Sequence, residues 1–183
     1  MRITVSGQPG AGSTTTAEIL LKRLGNKYKI LTMGEIFKQM ARERGVSPGE
    51  LDKFWQTAEG KSERTHHYLD DLTRRMAASE KDIILNCKLA AFQVPDADLK
   101  VLLVAPLEVR AERKSKSDNT SYQVALDSLG KREKTERAEW KKMYGYDYIS
   151  DVEQYDIIIN TKTWTAEKVA DMILAALESR NKR

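Results

Sequence analysis

Short, strongly apolar segments alternate along the chain with longer segments whose apolar residues recur about every 3.6 positions. The first short segment alternates polar and apolar residues, and the later ones are almost continuously apolar. Continuous apolar runs are typical of parallel strands that helices cover on both faces. The pattern predicts strands at residues 2–6, 28–32, 82–86, 99–104 and 155–160.

The longer segments predict helices, and several of them carry boundary signals. Gly25 suits a helix end, Pro48 suits a first helical turn, and Ser62 suits the position before a helix. Two breaks are also predicted, a joint at Glu59-Gly60 and a polar candidate hinge at residues 114–120. The predicted helices span residues 14–24, 34–41, a start at 47–50, 62–79, 106–114, 121–144 and 165–179.

The alternation of strand and helix predicts a doubly wound α/β domain with about five parallel strands. In such sheets, ligands collect at the carboxyl ends of the strands. Residues 7–13, 32–34 and 86–88 each follow a predicted strand. We therefore expect these three segments to converge on one cleft within a single domain of 183 residues.

The segment between the first strand and the first helix carries a phosphate-loop pattern. It matches G-x-x-x-x-G-x-[ST] from Gly7 to Thr14. Glycines allow backbone N–H groups to turn inward, and with the positive end of the following helix these groups form a site for polyphosphate. The Thr14 hydroxyl is placed to ligate Mg²⁺. The plain alternative is a glycine-rich turn between a strand and a helix.

Ser13 stands where this pattern has lysine. A hydrogen bond to a charged group contributes roughly 1.5–3 kcal/mol, so the substitution weakens a phosphate contact by about ten- to a hundredfold. Backbone donors and the helix end remain. We expect a lysine or arginine from elsewhere in the cleft to supply the missing positive charge.

The composition argues against several other classes of protein. The net charge of +4 suits anionic small molecules, and no basic motif interleaved with aromatic residues indicates a nucleic-acid partner. The apolar runs are far shorter than the roughly 20 residues that span a bilayer, so no membrane partner is expected. Cys87 is the one cysteine, and the first residues lack the apolar run of a secretion signal, which indicates a cytoplasmic protein.

Other chemically notable residues are interpreted as structural. His66 and His67 diverge by about 100° on a helix and are assigned to a solvated face, and Cys87 is expected to be a buried thiol. The tryptophans expected to pack in cores are Trp55, Trp140 and Trp164. Two i,i+4 pairs are expected to stabilise a helix, Arg132–Glu136 and Glu133–Arg137. For Arg132, a role at the site is left open.

Ordered blocks of the chain resemble the archaeal-type cytidylate kinases nearly from end to end. Each block alone is weak, but their order and spacing together are specific. The resemblance implies a three-layer P-loop NTPase fold with a central, about five-stranded parallel sheet, a helical monophosphate-binding arm near residues 34–80 and a small lid near 110–122. The blocks are MRITVSG (1–7), TMGEIF (32–37), APLEVRAER (105–113), KRE with ER (131–137), YGYD (144–147) and YDIIINT (155–161).

The resemblance also implies an activity, the transfer of the γ-phosphoryl group of ATP to CMP or dCMP with Mg²⁺, by a monomer or a weak homodimer. Gly34 and Lys38 would belong to the monophosphate arm, and Lys88 would bind the substrate phosphate. The residues that would hold the ATP phosphates are Gly7, Gln8, Pro9, Gly10, Ala11, Gly12, Ser13, Thr14 and Thr15. The catalytic residues would be Ser13, Lys88, Arg110, Arg113 and Arg132, with Lys114 also in the lid.

Some positions depart from the pattern of that family. Asn86 ends a strand where the family has an acidic residue, and Lys38 and Lys88 stand for arginines. Lysine keeps the charge but lacks the planar fork that grips phosphate through two parallel hydrogen bonds. Glu139 occupies a place where the family has an arginine, and an acidic side chain there would repel a monophosphate. These departures keep open a nucleotide-binding regulatory module with another acceptor, such as AMP, or with little turnover.

Overall fold

A five-stranded parallel sheet forms the centre of the molecule, for which a computed structural model describes residues 1–46, 54 and 57–181. The order of the strands is β2-β3-β1-β4-β5. This arrangement confirms the prediction of a doubly wound α/β fold. The strands are β1 (Arg2–Gly7), β2 (Lys29–Thr32), β3 (Ile83–Asn86), β4 (Leu99–Val104) and β5 (Ile157–Asn160).

Strand β1 occupies the middle of the sheet, where Ile3 pairs with Ile84 of β3 and Val5 pairs with Val101 of β4. All four of these side chains have no exposed surface, because helices cover both faces of the sheet. One face packs on Leu20 of the first helix and on the last helix, and the other face packs around Leu102. Burial on both faces explains why the neighbouring strands β3 and β4 are almost continuously apolar, and in β1 the polar residues Thr4 and Ser6 are buried as well.

The helices follow the strands in alternation, and side-chain caps fix the beginnings of two of them. The Ser62 hydroxyl accepts a hydrogen bond from the Thr65 N–H at 3.1 Å, and the Ser121 hydroxyl accepts one from the Val124 N–H at 3.3 Å. The helices are α1 (Ser13–Leu24), α2 (Met33–Glu43), α3 (Glu63–Ser79), α4 (Ala90–Gln93), α5 (Leu107–Asp118), α6 (Tyr122–Tyr144) and α7 (Ala166–Asn181).

The polar stretch at residues 114–120 is largely helical, so the prediction of a break there was wrong for most of its length. Helix α5 continues to Asp118 and ends at Asn119, whose φ of 52° lies in the left-handed region. Lys114 pairs with Asp118 and Lys116 pairs with Glu112, one helical turn apart in each case, which stabilises the polar turns. Helices α5 and α6 then pack against each other through an apolar cluster of Ala111, Ala125 and Leu129 with Leu107 and Leu126.

Two further sequence predictions concern the connection between α2 and α3. The predicted helix start at residues 47–50 lies outside the described residues. Glu59-Gly60, predicted to be a joint, lies in a turn before α3. Within the part of the chain that the structure describes, no helix combines the length and the apolar character needed to cross a membrane.

Candidate active site

The phosphate loop connects β1 to α1 and depends on two glycines with positive φ. Gly10 has φ 82° and Gly12 has φ 95°. A Cβ on Gly10 would lie 3.0 Å from the Cβ and 3.1 Å from the carbonyl oxygen of Arg110, so helix α5 approaches the loop too closely for a side chain. A Cβ on Gly12 would meet no described atom within 4 Å. The loop is therefore packed at Gly10 and open at Gly12, immediately before the first turn of α1.

Buried polar contacts fasten the loop from behind. The Arg110 guanidinium, 2% exposed, donates to the carbonyl oxygen of Pro9 at 3.1 Å and to that of Ala105 at 2.9 Å. It also lies 2.9 Å from the Glu133 carboxylate. Gln8 accepts a hydrogen bond from the Ala105 N–H at 3.0 Å. These contacts hold the loop against α5 and α6 and favour one loop conformation.

The two arginines that the resemblance places in a lid lie at the base of α5. Arg113 donates to the Thr161 hydroxyl at 3.0 Å and to the Thr161 carbonyl oxygen at 2.6 Å. The Thr161 hydroxyl in turn donates to the Ala11 carbonyl oxygen at 3.0 Å. Arg110 and Arg113 thus both support the loop, Arg110 directly at Pro9 and Arg113 through Thr161. Both guanidinium groups contact backbone carbonyl oxygens, and Arg113 also lines a cavity beside the loop.

Two cavities adjoin the loop, one on each side. The first, of about 310 Å³, extends from the loop toward α3. The second, of about 700 Å³, lies between the loop, α5 and the start of α7. Two ligands, one in each cavity, would therefore meet at the loop. The residues that line both cavities are Gly10, Ser13, Thr14, Lys38 and Lys114.

Lys88 and Arg132 bring positive charge to the first cavity, and Glu136 forms an ion pair with each of them. The Glu136 carboxylate, with no exposed surface, accepts a hydrogen bond from the Lys88 ammonium and another from Arg132 Nε at 2.7 Å. Burial acts to raise the pKa of Glu136, but the charges of Lys88 and Arg132 outweigh it and hold this pKa below its ordinary value. Burial lowers the pKa of Lys88 to about 8. The predicted i,i+4 contact between Arg132 and Glu136 is thus part of the site.

The other predicted ion pair on α6 has different partners. Glu133 lies 2.9 Å from Arg110 and accepts a hydrogen bond from Gln8 at 3.3 Å. Arg137 binds the Asp147 carboxylate through its Nε at 3.0 Å. The closest contacts of both side chains are therefore tertiary: the hydrogen bond to Asp147 contributes most to raising the pKa of Arg137, and the charge of Glu133 adds to it.

Helix α3 brings polar side chains to the lining of the first cavity. Asp70, 7% exposed, accepts hydrogen bonds from the Gln93 amide and from the Tyr144 hydroxyl. His66, 5% exposed, and Thr73, 1% exposed, line the same cavity. Burial lowers the pKa of His66, so a neutral imidazole is favoured. The assignment of His66 to a solvated face was wrong, although its spacing from Leu69, Thr73 and Ala77 follows one helical face and signalled burial.

Thr14 and Asn86 meet at the carboxyl ends of β1 and β3. The Asn86 amide donates to the Thr14 hydroxyl at 3.2 Å, and Asn86 is 6% exposed. Over residues 1–46, 54 and 57–181, no three His, Cys, Asp or Glu side chains are grouped to hold a metal ion. A magnesium ion that keeps most of its ligands from water and phosphate needs no such group. One hydroxyl with an amide behind it fits an ion of that kind.

The tryptophans differ from one another in their surroundings. Trp140 is 6% exposed, packs edge-on against Tyr148 at 5.5 Å between ring centroids, and lies 5.4 Å from the Lys88 ammonium. It is a core residue, as predicted, that also lines the first cavity. Trp164 is 47% exposed and lines the second cavity, so the prediction of core packing was wrong for it. Trp55 lies outside the described residues.

The remaining candidates are distributed as follows. Gly34 lies in the first turn of α2 and lines the first cavity, and Lys38, one turn later, pairs with Glu35 at 2.6 Å. Glu139, expected to repel a monophosphate, is half-buried on α6 but does not line either cavity. Cys87 is buried, as expected, and burial raises the pKa of its thiol to about 12. The other loop residues each line one cavity, the first being lined by Gly7, Gln8 and Pro9 and the second by Ala11, Gly12 and Thr15.

The strand order, the glycine loop before α1 and the cavities on either side of it define a P-loop phosphotransferase. The loop provides backbone donors and a helix end for phosphate groups. Lysine and arginine side chains surround it from separate elements. A site of this kind acts through position and positive charge, which is what phosphoryl transfer requires.

Comparison with known proteins identifies the family. The model of the cytidylate kinase-like family matches residues 2–163. The chain is 39% identical over 179 residues to the cytidylate kinase of Pyrococcus abyssi, and the match covers 96% of this chain and 93% of that protein. It is 35% identical over 178 residues to the cytidylate kinase of Archaeoglobus fulgidus, with coverage of 97% and 95%. The chain therefore belongs to the cytidylate kinase-like family.

Solved structures with a similar fold include kinases of other small molecules. The shikimate kinase from Acinetobacter baumannii in complex with shikimate has a TM-score of 0.60 at 19% identity, and the match covers 100% of this chain and 95% of that one. A gluconokinase from Sinorhizobium meliloti has a TM-score of 0.60 at 14% identity, with coverage of 97% and 91%. At these identities the likeness concerns the fold alone.

Proposed function

We propose that the protein transfers the γ-phosphoryl group of ATP to CMP or dCMP, giving ADP and CDP or dCDP. The observation that carries this proposal is the pair of cavities that share the phosphate loop. Gly10, Ser13 and Thr14 of the loop line both cavities, so a donor in one and an acceptor in the other would bring their phosphates together. The relatives named cytidylate kinases support CMP as the acceptor.

The larger cavity suits ATP. It contains the open side of the loop at Gly12, the start of α1, and the half-exposed ring of Trp164 near the start of α7. The loop amides and the helix end would bind the β- and γ-phosphates. Thr14, supported by Asn86, would hold the magnesium ion that accompanies ATP. When bound, that ion neutralises charge that develops on the phosphate oxygens.

The smaller cavity suits the monophosphate, because its positive charge is concentrated near the loop. Lys88 and Arg132 lie there, each in an ion pair with Glu136, and Lys38 lies at the border between the two cavities. These cations take the place of the lysine that Ser13 replaces in the loop. They would bind the acceptor phosphate and align one of its oxygens with the γ-phosphorus atom.

The reaction needs no strong base. An oxygen of the acceptor phosphate is already anionic and forms the new bond to the γ-phosphorus, while the bond to the β–γ bridging oxygen breaks and its electron pair leaves with ADP. Lys88 and Arg132 would stabilise the negative charge on the transferred group. The apolar lining around Trp140 and Leu129 would exclude water, which otherwise competes with the acceptor.

A turnover assay tests the proposal. Purified protein is incubated with Mg·ATP and, in separate reactions, with CMP, dCMP, UMP and AMP, and both ADP and the diphosphate product are measured. We expect CDP and dCDP to form at rates far above ATP hydrolysis without an acceptor. Binding of ATP with no turnover of any acceptor would contradict the proposal and support a regulatory module instead.

The role of Lys88 gives a pH dependence of defined sign. Because burial lowers the pKa of Lys88 to about 8, its positive charge is present below that pH and is lost above it. We expect kcat/KM for CMP to fall as the pH rises through about 8. In Lys88→Arg the guanidinium keeps its charge throughout, so this alkaline decline is expected to disappear.

The pH profile of Lys88→Arg is compared with that of Lys116→Arg, which makes the same change at an exposed position on α5. Lys116→Arg is expected to keep the decline seen in the unaltered protein. An identical alkaline decline in Lys88→Arg would show that another group causes it.

A further inference from the structure

One turn of helix α6 contributes to both halves of the site. Arg132 and Glu136 form the ion-pair cluster with Lys88 that lines the first cavity. Glu133, which lies between them in the sequence, contacts the residues that fasten the phosphate loop instead. A single helical turn therefore connects the cations proposed to bind the acceptor phosphate with the loop proposed to bind ATP.

The Glu133 carboxylate is the junction between α6 and the loop. Its side chain is 17% exposed, and its Oε2 lies 2.9 Å from the Arg110 guanidinium and accepts a hydrogen bond from the Gln8 amide at 3.3 Å. Arg110 in turn donates to the carbonyl oxygen of Pro9 at 3.1 Å, and Gln8 is itself a loop residue. Separation of a buried ion pair is costly, so these contacts resist a change in the distance between the loop and α6.

The loop depends on this junction because it carries no cation of its own. Ser13 stands where the phosphate-loop pattern has lysine, and residues 7–15 contain no lysine or arginine. A loop lysine would move with the loop, whereas Lys88 moves with the end of β3 and Arg132 moves with α6. The alignment of the two phosphates is thus set by separate elements, and a misplacement of about 1 Å can lower a rate by about a hundredfold.

The charge of Glu133 also acts on the acceptor side of the junction. Burial lowers the pKa of Lys88, and the charge of Glu133 opposes this fall, after the larger effect of Glu136. Glu133 is therefore within electrostatic range of Lys88 while it contacts Arg110. A displacement of its carboxylate would affect the loop and the cations together.

We propose that Glu133 is a positioning residue that fixes the distance between the phosphate loop and the acceptor-phosphate cations Lys88 and Arg132. This inference rests on the proposed function, because it takes the second cavity to be the ATP site and the first to be the acceptor site. Glu133 does not line either cavity. It acts through Arg110 and Gln8 on the loop side and through the backbone of α6 on the cation side.

A linked ligand separates this positioning role from the binding of either nucleotide. The ligand joins adenosine and cytidine through a chain of five phosphate groups, so that it would occupy both cavities at once. The second half of such a ligand binds intramolecularly, and the gain in affinity depends on whether the linker matches the span between the sites. The affinity of the linked ligand therefore reports the distance between the loop and the cations. The β,γ-imido analogue of ATP and CMP report each cavity alone.

The test compares the unaltered protein with Glu133→Gln, in which an amide of nearly the same shape replaces the carboxylate. We expect the affinity for the linked ligand, measured by titration calorimetry near neutral pH, to fall by about ten- to a hundredfold, as for loss of a charged hydrogen bond. The affinities for the imido analogue and for CMP are expected to change little. In turnover assays, kcat is expected to fall while the KM values stay close to those of the unaltered protein.

Asp147→Asn is the matched control. It removes the carboxylate that binds Arg137, so it breaks another ion pair between an arginine and a carboxylate that involves α6. The Asp147 side chain is 12% exposed, and neither Asp147 nor Arg137 lines a cavity beside the loop. The control thus measures the effect of a lost ion pair alone, and it is expected to keep the affinity for the linked ligand.

A second variant applies if Glu133→Gln does not fold. Glu133→Asp keeps a negative charge beside the buried Arg110 guanidinium but is one methylene group shorter. We expect a smaller loss of affinity for the linked ligand, again with little change for the imido analogue and CMP. Unchanged affinity for the linked ligand in the variant that folds, or an equal loss for all three ligands, would overturn the positioning role.

The binding data separate this inference from the proposed function. Turnover of CMP with no gain in affinity from the linker, or with a gain that the Glu133 variants keep, would leave the kinase activity in place and overturn the positioning role. A gain that the Glu133 variants lose, without any turnover, would support the positioning role and overturn the kinase activity. Neither turnover nor a gain from the linker would overturn both.

Discussion

Replacement of Gly12 by valine is expected to lower the affinity for ATP more than about a hundredfold. Gly12 has φ 95° and ψ 15°, a conformation that a β-branched residue avoids. Its Cβ would meet no described atom within 4 Å and would project from the loop on the side of the larger cavity. The substitution would therefore both shift the loop amides and occupy space beside them. Loss of two charged hydrogen bonds, at roughly 1.5–3 kcal/mol each, accounts for the expected change.

Gly145→Val provides the matched control. Gly145 ends α6 with φ 80° and ψ −3°, and a Cβ there also meets no described atom within 4 Å. The backbone strain is thus similar, but Gly145 does not line either cavity. ATP affinity is measured by calorimetry after circular dichroism has confirmed folding of both variants. Unchanged affinity in folded Gly12→Val would remove the loop from the proposed mechanism.

Replacement of Glu136 by glutamine is expected to reduce kcat/KM for CMP by about a hundredfold, because a small misplacement of groups that contact the reacting phosphates has effects of that size. Without the carboxylate, no negative charge offsets the repulsion between the positive charges of Lys88 and Arg132. Breaking a buried ion pair typically costs about 3–5 kcal/mol, and we expect the lower end of that range because the Lys88 and Arg132 side chains are 22% and 20% exposed. Chemical denaturation measures this loss.

The pH profile distinguishes a positioning role of Glu136 from a general loss of stability. The charge of Glu136 acts to raise the pKa of Lys88. Its removal is expected to shift the alkaline decline of kcat/KM to lower pH, which simple destabilisation of the fold would not do. Glu112→Gln, at an exposed i,i+4 pair with Lys116, serves as the control. An unshifted decline in Glu136→Gln would contradict the coupling between the two side chains.

The sheet and its order of elements could be predicted because burial on both faces leaves a clear apolar signal. The predicted strands differ from β2, β3 and β5 only at their first residues. Helix α5 was predicted too short, since its last turns are polar and gain their stability from ion pairs such as Lys114–Asp118. A pattern of apolar positions carries no signal for such turns.

The phosphate loop was predictable from a local motif, whereas the acidic residues of the site were not. Asp70 and Glu136 lie on helices among many charged residues, where solvent exposure is the ordinary expectation. Their burial depends on partners distant in sequence, Gln93 and Tyr144 for Asp70 and Lys88 for Glu136. The position of Arg110 behind the loop follows in the same way from the fold, because Pro9 and Glu133 approach it from separate elements.

The short connection at Asn119 between α5 and α6 has a consequence for how the molecule responds to nucleotide. The two helices form one stiff hairpin, and Arg110 attaches its base to the backbone of Pro9. A tilt of the hairpin would therefore displace the loop, so the conformations of the hairpin and the loop are coupled. Because thermodynamic coupling is reciprocal, occupancy of the loop is expected to slow hydrogen exchange along the base of the hairpin.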